Sequence, residues 1–325
     1  MTSSTVSFSQ KRHDYIKDWP NIQPFQAENE YKNRIDNFKK SGKELFLPHP
    51  ISYSSENYHN IAVSFIIDSL DVMHKHPNFA FDFIFRAFDQ YAGNLFNETT
   101  LKGKLEKSID EWTEIINQND NSKGLIEKLL KNIPQITCQY LYSRIFKEYD
   151  GSKPAEENEG LLLKRLLKVE KENGKLIVND EKMKRIVELS FRKFGFNEMD
   201  YANSIRKGSR FFFVYFNSDS VNLSISSDSN EDIPIKLEDK LHLLVNGILF
   251  TMRNDRAHGA SSSSFKSSKA SLRTYAHNHF CFISIYFLLH LLMIDTTSSE
   301  MDTLIEVMNR NVDSYAEFYK EILGV

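Results

Sequence analysis

The longest apolar run in this chain, FCFISIYFLLHLLMI at residues 280–294, places the strongest constraint on how it can fold. A helix that is hydrophobic on all sides has to be surrounded by other protein elements or by lipid. The run is shorter than the ~20 residues that a helix needs to cross a bilayer, and it includes His290. It therefore predicts a buried helix of a globular protein and no membrane span.

Cysteine use and the first residues indicate the compartment in which the protein folds. Cys138 and Cys281 are the two cysteines of the 325-residue chain, too few for a disulfide framework or a four-cysteine zinc site. The N-terminal sequence MTSSTVSFSQKRHDY lacks the apolar segment of a signal peptide. We therefore expect a cytoplasmic protein in which both thiols belong to the core.

Apolar residues recur at spacings of three and four along most of the chain, which predicts a mainly α fold. Pro77 separates one helical pattern from the next, because proline suits the first turn of a helix and interrupts its interior. Further helices are predicted at residues 101–117, 123–149, 159–172, 180–194 and 300–323. The last has a heptad-like apolar stripe, for which packing inside the bundle and a coiled coil with a second chain are the alternatives.

Two regions depart from the helical pattern. Residues 1–55 contain the proline-bearing stretches DWPNIQPF and FLPHPISY, which predict an irregular N-terminal arm or subdomain ahead of a helical domain at 56–325. Residues 209–237 contain RFFFVYF, VNLSIS and IPIKL between turn-forming clusters, which predict a small β-hairpin or meander insertion. The stretch KENGKLIVND at 171–180 is compatible with a short strand.

A cluster of polar residues, RNDRAH at 253–258, ends a helix predicted at 237–258. Gly259 and a serine-rich loop, predicted to be flexible over 259–271, follow it. A helix end is satisfied by a glycine and a cation that interacts with the helix dipole, which is the simplest interpretation of the cluster. That interpretation leaves two of the polar groups without a role, so the cluster is the candidate functional site.

The spacing within this cluster predicts how its side chains are arranged. At about 100° per residue, Asn254 and His258 lie about 40° apart on a helix, so the amide can hold the imidazole. Arg253 lies about 140° from His258 on the same helix. Both can therefore contact one small group only if the helix unwinds toward Gly259 or a second copy of the chain completes the site.

A guanidinium and an imidazole together suit phosphodiester chemistry, because one binds phosphate oxygens while the other transfers protons near neutral pH. RNA is the natural target, since its 2′-hydroxyl supplies the nucleophile and no metal or cofactor is required. Residues 253–273 contain five cations and one anion, a net charge of +4 in a chain of net charge −3, so the remainder carries −7. The candidates for contacts with RNA phosphates are Arg256, Lys266, Lys269 and Arg273.

At this point the residues resemble a known family. RNDRAH is similar to the R-x4-6-H motif of the HEPN superfamily, including the asparagine after the arginine and the glycine after the histidine. The order of elements over 237–294 is also similar, with a long helix ending in the motif, a polar loop and a second apolar helix. The resemblance implies an antiparallel helical bundle that forms a homodimer in which two motifs face each other.

The resemblance also implies a function and roles for three residues. Members of this kind are metal-independent endoribonucleases of antiviral defence, toxin systems or RNA processing, and they leave 2′,3′-cyclic phosphate and 5′-hydroxyl ends. Arg253 would bind and polarise the phosphate, His258 would act as general acid or base, and Asn254 would orient the site. An antitoxin or other regulatory partner is then a further expectation. Some HEPN domains bind nucleotides or serve as interaction modules, so a non-catalytic module is the alternative.

The motif departs from its relatives at Arg256, where related motifs often carry an apolar residue. This side chain would either add a phosphate contact or form a salt bridge with Asp255. Two histidine pairs suggest a metal site, but residues two apart point to different sides of a helix; they are His74 with His76, and His277 with His279. The second pair would instead line an RNA groove.

Two other chemistries leave weaker traces in the sequence. Glu238 and Lys240 faintly resemble the acid and lysine that metal-dependent nucleases carry on a strand. The chain contains no G-x-x-x-x-G-K-S/T loop, so ATPase or GTPase activity is not expected. We therefore expect no bound metal and no cofactor.

Overall fold

The computed structural model describes residues 7–18, 20–21, 23–51, 54–195, 200–222, 232–259, 265–294 and 299–323. It is mainly helical, which confirms the predicted fold class at that level. Its helices are α1 Phe8–Lys17, α2 Gln26–Lys40, α3 Asn57–Met73, α4 Pro77–Leu95, α5 Leu101–Gln118, α6 Asp120–Lys131, α7 Gln135–Glu148, α8 Leu161–Leu166, α9 Glu181–Phe194, α10 Tyr201–Asn217, α11 Leu237–His242, α12 Phe250–Ala257, α13 Leu272–Met293, α14 Ser299–Phe318 and α15 Lys320–Leu323.

The remaining elements are short. A π-helical segment, Leu243–Leu249, joins α11 to α12, and a 3-10 helix lies at Ala155–Glu157. Two antiparallel pairs of strands complete the list: β1 Val169–Glu172 with β2 Lys175–Val178, and β3 Ser220–Asn222 with β4 Asp232–Pro234.

Helix α13 contains the apolar run and lies at the centre of the fold. It is the one helix among the described residues with the length and hydropathy of a membrane span, yet 89% of its most apolar window is buried. Helices α2, α4, α5, α7 and α14 all pack against it. The predicted buried helix is confirmed, because the other helices supply the surroundings that its apolar surface needs.

Polar side chains of neighbouring elements bind the backbone of α13. Trp112 donates its Nε1–H to the carbonyl oxygen of Leu288 at 2.7 Å, and Tyr315 donates its hydroxyl to Ala276 O at 3.1 Å. Tyr315 belongs to the apolar stripe of α14, and the stripe is buried within this chain. The stripe therefore packs inside the bundle, as the first of its two alternatives predicts.

The prediction of an irregular arm at 1–55 is wrong for much of that region. Helix α2 fits between Pro24 and Pro48, so the prolines bound the helix and do not prevent it. The helix buries Ala27, Tyr31 and Ile35. The Tyr31 ring stacks on Tyr275 of α13 with centroids 3.9 Å apart, so this segment belongs to the core.

Two predicted helices are divided or shortened. The helix predicted at 123–149 is two helices, because Pro134 lies at the N-terminal cap of α7 and ends the pattern of α6. The helix predicted at 159–172 ends at Leu166, and the chain then forms the hairpin β1–β2. Asn173 and Gly174, with φ of 50° and 81°, form its turn, so the strand in KENGKLIVND is confirmed.

The predicted β insertion is also corrected. RFFFVYF lies in α10 and not in a strand, since Phe211, Phe212 and Tyr215 are buried at helical spacing. Helix α10 packs closely on α7 at Gly208, where an added Cβ would lie 2.1 Å from the Tyr142 ring. Tertiary packing therefore overrides local β propensity. The short β3–β4 pair is what remains of the insertion, and most of VNLSIS lies outside the described residues.

Candidate functional site

The helix predicted at 237–258 is continuous in its backbone but not uniform. Helices α11 and α12 are joined by the π-helical segment Leu243–Leu249, all of which is buried. Thr251 donates its hydroxyl to Asn246 O at 3.3 Å, next to this segment. A π-helical turn is rare in proteins and is often found beside functional sites. It sets the rotation of the motif that follows.

A chain of buried hydrogen bonds holds this segment against α8. The Nε2 atom of His242 lies 3.2 Å from Leu166 O, and Asn246 Nδ2 lies 3.1 Å from His242 Nδ1. Because a carbonyl only accepts, Nε2 carries the proton and Nδ1 accepts from the amide. Burial lowers the pKa of His242, which keeps the ring neutral. Arg165 of α8 donates to Thr251 Oγ1 at 2.9 Å, so α8 contacts the motif helix on both sides of the π turn.

The end of α12 has the geometry of a glycine C-cap. The His258 N–H donates to Asn254 O at 3.0 Å, and the Gly259 N–H donates to Arg256 O at 3.3 Å. Gly259 has a φ of 65°, the left-handed conformation that glycine adopts without strain. The predicted capping role of Gly259 is confirmed, and the cap presents His258 at the last turn of the helix.

Two charged groups of the motif are committed to structural contacts. Asp255 accepts a hydrogen bond from Tyr140 Oη at 2.8 Å and forms a salt bridge with Arg144 Nη2 at 3.0 Å, and both partners lie on α7. Burial, reinforced by the neighbouring Asp255 carboxylate, raises the pKa of Tyr140, so its hydroxyl keeps its proton and donates. Arg256 donates its Nε–H to Asp82 Oδ1 at 2.6 Å and a second hydrogen bond from Nη2 to Oδ2, which joins α12 to α4.

These contacts change the interpretation of Arg256. The expected alternative of a salt bridge with Asp255 is wrong, since each of the two finds a partner on another helix. On an ideal helix Asp255 and Arg256 lie on the side of α12 that faces the fold. The Arg256 side chain is 11% exposed, so its guanidinium has little surface left for an RNA phosphate.

Among the described residues, the other three polar groups of the motif bind no other helix. Arg253 and Asn254 are partly exposed and His258 is exposed. The Arg253 guanidinium donates to Asn254 Oδ1 at 3.1 Å, and among the described residues it has no carboxylate partner. Within the same ranges the His258 imidazole has no hydrogen-bond partner. The predicted catalytic residues are therefore the ones that the fold leaves uncommitted.

The expected contact between the Asn254 amide and the His258 imidazole is not formed. The adjacent Arg253 guanidinium, a stronger charged donor, takes the Asn254 Oδ1 atom. His258 lies past the last helical residue, with φ and ψ of −94° and 7°. In this structure Asn254 therefore orients Arg253, and no described residue holds the His258 imidazole.

The cations predicted to contact RNA fall into two groups. Lys266 pairs with Glu28 of α2, as Arg256 pairs with Asp82, so both already have a carboxylate partner. Lys269 and Arg273 are exposed, and within the described residues neither has one. Lys269 Nζ lies 6.0 Å from the centroid of the Phe8 ring. The two free cations lie directly before and at the start of α13.

The loop predicted to be flexible at 259–271 is only partly described, and residues 260–264 lie outside the described ranges. Its second half is packed, because Phe265 is buried and stacks on Tyr275 with ring centroids 3.9 Å apart and planes 2° apart. Ser268 donates its hydroxyl to Phe8 O at 2.8 Å. The prediction of flexibility is therefore wrong for 265–271, since an aromatic anchor within the serine-rich stretch fixes it.

The sequence did not predict that two arginines lie against the motif helix. Arg144 binds Asp255, and Arg165 binds Thr251 with its guanidinium carbon 4.3 Å from the Phe250 ring centroid. Burial lowers the pKa of Arg165 to about 10, which leaves it a cation at neutral pH. No sequence signal marks either residue, because each looks like an ordinary polar position of an amphipathic helix.

The structure also bears on the two metal alternatives. Among the residues that it describes, no three His, Cys, Asp or Glu side chains lie close enough to hold a metal ion. His277 Nδ1 lies 3.8 Å from Cys281 Sγ, and His279 is fully buried, so it cannot line an RNA groove as expected. Glu238 and Lys240 lie on helix α11 and not on a strand, which removes the resemblance to metal-dependent nucleases.

Comparison with known proteins gives no match: no protein-family model, no curated protein and no solved structure matches the chain.

Proposed function

We propose that the chain is a metal-independent endoribonuclease of the HEPN type, with Arg253, Asn254 and His258 as its catalytic residues. The observation that carries the proposal is the division of RNDRAH into two sets. Asp255 and Arg256 bind other helices, whereas the three catalytic candidates are at least partly exposed and, among the described residues, contact no other helix. A plain helix end has no need for three uncommitted polar groups.

The proposed reaction is an in-line transesterification of RNA. The 2′-oxygen attacks the adjacent phosphorus while the bond from phosphorus to the 5′-oxygen breaks. A base takes the proton of the 2′-hydroxyl, and an acid gives a proton to the leaving 5′-oxygen, which yields a 2′,3′-cyclic phosphate and a 5′-hydroxyl. Arg253 binds the phosphate oxygens as negative charge develops on them. His258 performs one of the two proton transfers.

The geometry of α12 supports a homodimer. The helix stays regular to Ala257, so the unwinding that would bring Arg253 and His258 together within one chain is not observed. On a regular helix the two side chains lie about 140° apart around the axis. A second copy with its motif facing the first would supply the missing group, as the resemblance to HEPN proteins also implies.

The wider role is proposed from the resemblance. A cytoplasmic ribonuclease of this kind fits antiviral defence or a toxin system, with an antitoxin or other partner that restrains it. A non-catalytic HEPN module is the second candidate. It is favoured by the ion pairs of Arg256 and Lys266, which leave fewer cations for RNA than the sequence predicts.

Cleavage of RNA in EDTA tests the catalytic proposal. We expect the wild-type protein to cut single-stranded or structured RNA and to leave cyclic phosphate ends. Arg253→Ala and His258→Ala should each lower the rate by at least ~100-fold, as removal of a charge-stabilising or proton-transferring group does. Arg310→Ala and His13→Ala, at exposed positions elsewhere, are the matched controls. Activity that survives both motif substitutions would exclude the proposed roles.

Mixing the two inactive variants tests the shared site. If Arg253 of one copy works with His258 of the other, half of the dimers in an equal mixture contain one intact site. The mixture should then recover about a quarter of the wild-type activity. If both groups come from the same chain, mixing restores nothing. A wild-type protein that cleaves RNA as a monomer in light scattering would also contradict the shared site.

A further inference from the structure

A cavity of about 270 Å³ lies against the buried side of the motif helix. Its walls come from α7, α12, α13 and the packed segment 265–270. Asp255 and Arg256 form the motif-helix wall beside Met252, and Tyr140 faces them from α7. The volume is close to the lower limit of about 300 Å³ for small-molecule sites, so the cavity suits a group about the size of a single ring system.

The floor of the cavity contains a buried amide with an unused acceptor. Asn278 of α13 lines the cavity and is 1% exposed. Its Nδ2 donates to Thr274 O at 2.7 Å, but its Oδ1 is buried without a hydrogen-bond partner. A buried acceptor without a hydrogen-bond partner destabilises the fold, so it favours a ligand that donates a hydrogen bond there.

His277, next to this amide, supplies a ring nitrogen. The Thr137 hydroxyl lies 3.0 Å from its Nδ1 atom, and burial, with the charge of Arg256, lowers the pKa of His277 to about 4. One nitrogen of the neutral ring donates and the other accepts. Within the described residues, Nε2 has no hydrogen-bond partner. The cavity therefore has an unpaired amide oxygen and an unpaired ring nitrogen on adjacent residues of α13.

The charges around the cavity exclude a phosphate as its main occupant. Asp255 is neutralised by Arg144 and Arg256 by Asp82. Of the ionised side chains that line the cavity, Lys269 alone has no carboxylate partner in the part of the chain that the structure describes, and it is exposed. The occupant should therefore be neutral and partly apolar, with donor and acceptor groups on its edge.

We infer that this cavity binds one nucleobase of the RNA substrate. A nucleobase is neutral and planar, and its edge presents donors beside acceptors, which match the free groups of Asn278 and His277. Tyr140 and His277, with ring centroids 5.3 Å apart, add aromatic surface. Lys269 at the rim lies where the attached phosphate would emerge.

The position of the cavity relates it to cleavage. Asp255 on its wall precedes His258 by three residues, which is about 4.5 Å along the helix axis. A base held in the cavity would therefore keep its own ribose and phosphate close to the imidazole. The cavity would select which nucleotide is cut. The identity of the ligand as part of an RNA substrate rests on the proposed ribonuclease function, whereas binding of a nucleobase does not.

Calorimetry with AMP, CMP, GMP, UMP and ribose 5-phosphate, in EDTA and with the full chain, tests the inference. We expect at least one nucleotide to bind and ribose 5-phosphate, which has no base, not to bind. Ala270→Leu would fill the cavity from the 265–270 segment and should weaken that binding by at least ~10-fold. Ala316→Leu, the same change at a partly buried alanine of α14, should leave it unchanged. His277→Phe keeps a ring but removes the ring nitrogens, and should weaken binding as well.

The outcomes separate this inference from the proposed function. If no nucleotide binds, or if Ala270→Leu binds as tightly as wild type, the nucleobase site is excluded even though RNA is cut. If nucleotides bind and Ala270→Leu abolishes binding while the wild type cuts no RNA, the ribonuclease proposal fails and the nucleobase site stands. Sequencing of the cleavage products decides whether the bound base belongs to the RNA substrate or to a free nucleotide. If Ala270→Leu cuts RNA with an unchanged base preference, the ligand of the cavity is a free nucleotide.

Discussion

The pair formed by Arg256 and Asp82 predicts that Arg256→Ala damages the fold more than it damages RNA recognition. The two side chains share two hydrogen bonds and are 11% and 30% exposed, so water screens the pair only in part. Removal of one partner of a buried pair costs about 3–5 kcal/mol, and an exposed pair contributes about 0–1 kcal/mol. For this intermediate burial we expect Arg256→Ala to lower the free energy of unfolding by about 2 kcal/mol.

Urea unfolding of the single and double variants measures this contribution. Asp82→Ala combined with Arg256→Ala leaves no unpaired charge, so it should be more stable than Arg256→Ala alone by about 1 kcal/mol. RNA affinity of the folded Arg256→Ala protein should stay within about twofold of wild type at each salt concentration. The reasoning is refuted if stability is unchanged while the slope of log affinity against log salt falls by about one unit, since Arg256 would then bind phosphate.

Three further predictions concern stability. Burial lowers the pKa of His279 and of His290 to about 3. Since these values lie below the pKa of histidine in the unfolded chain, the two residues leave stability intact above about pH 6.5 and together lower it by roughly 4 kcal/mol by pH 5, in addition to the fall from other buried histidines such as His277. His279→Phe should remove roughly 2 kcal/mol of the fall, and an acid titration identical to that of the wild type would contradict it. Gly259→Ala should lower the free energy of unfolding by about 1 kcal/mol, because alanine is strained at the positive φ of this position. An unchanged unfolding midpoint would disprove this. Gly208→Ala should cost about 2 kcal/mol by displacing the Tyr142 ring, and a melting temperature equal to wild type would show that α10 and α7 adjust freely.

The sequence predicted best those elements whose identity depends on their own residues. Helix α13 was predictable because its apolar surface leaves no solvent-exposed side. The helical conformation of RFFFVYF was not predictable, because its β-prone residues form a helix only through contact with α7. The close approach that permits this packing is between Gly208 and Tyr142, which are 66 residues apart in the sequence.

The candidate site likewise contains features that its own residues predict and features that depend on distant contacts. The three catalytic candidates of the motif were identified from spacing and chemistry, and all three are at least partly exposed. The partner of Arg256 lies 174 residues away on α4, and no local pattern marks Asp82 as that partner. The contacts of Arg144 and Arg165 with the motif helix were not predictable for the same reason. Contacts with residues far away in the sequence determine which charged side chains of a motif remain unpaired. The motif itself does not specify those contacts.

The π turn at Leu243–Leu249 has a consequence for how such a site arises and is lost. A π turn holds one residue more than the α turn it replaces, so the segment absorbs one residue that a regular helix would pass on to the motif as a rotation. If the segment became a regular α-helix with all its residues kept, everything downstream would rotate by about 100° relative to α7 and α4. The carboxylate of Asp255 would leave Arg144, and a different pair of the six motif residues would turn inward. The π turn therefore decides which residues of RNDRAH contact the fold and which contact solvent.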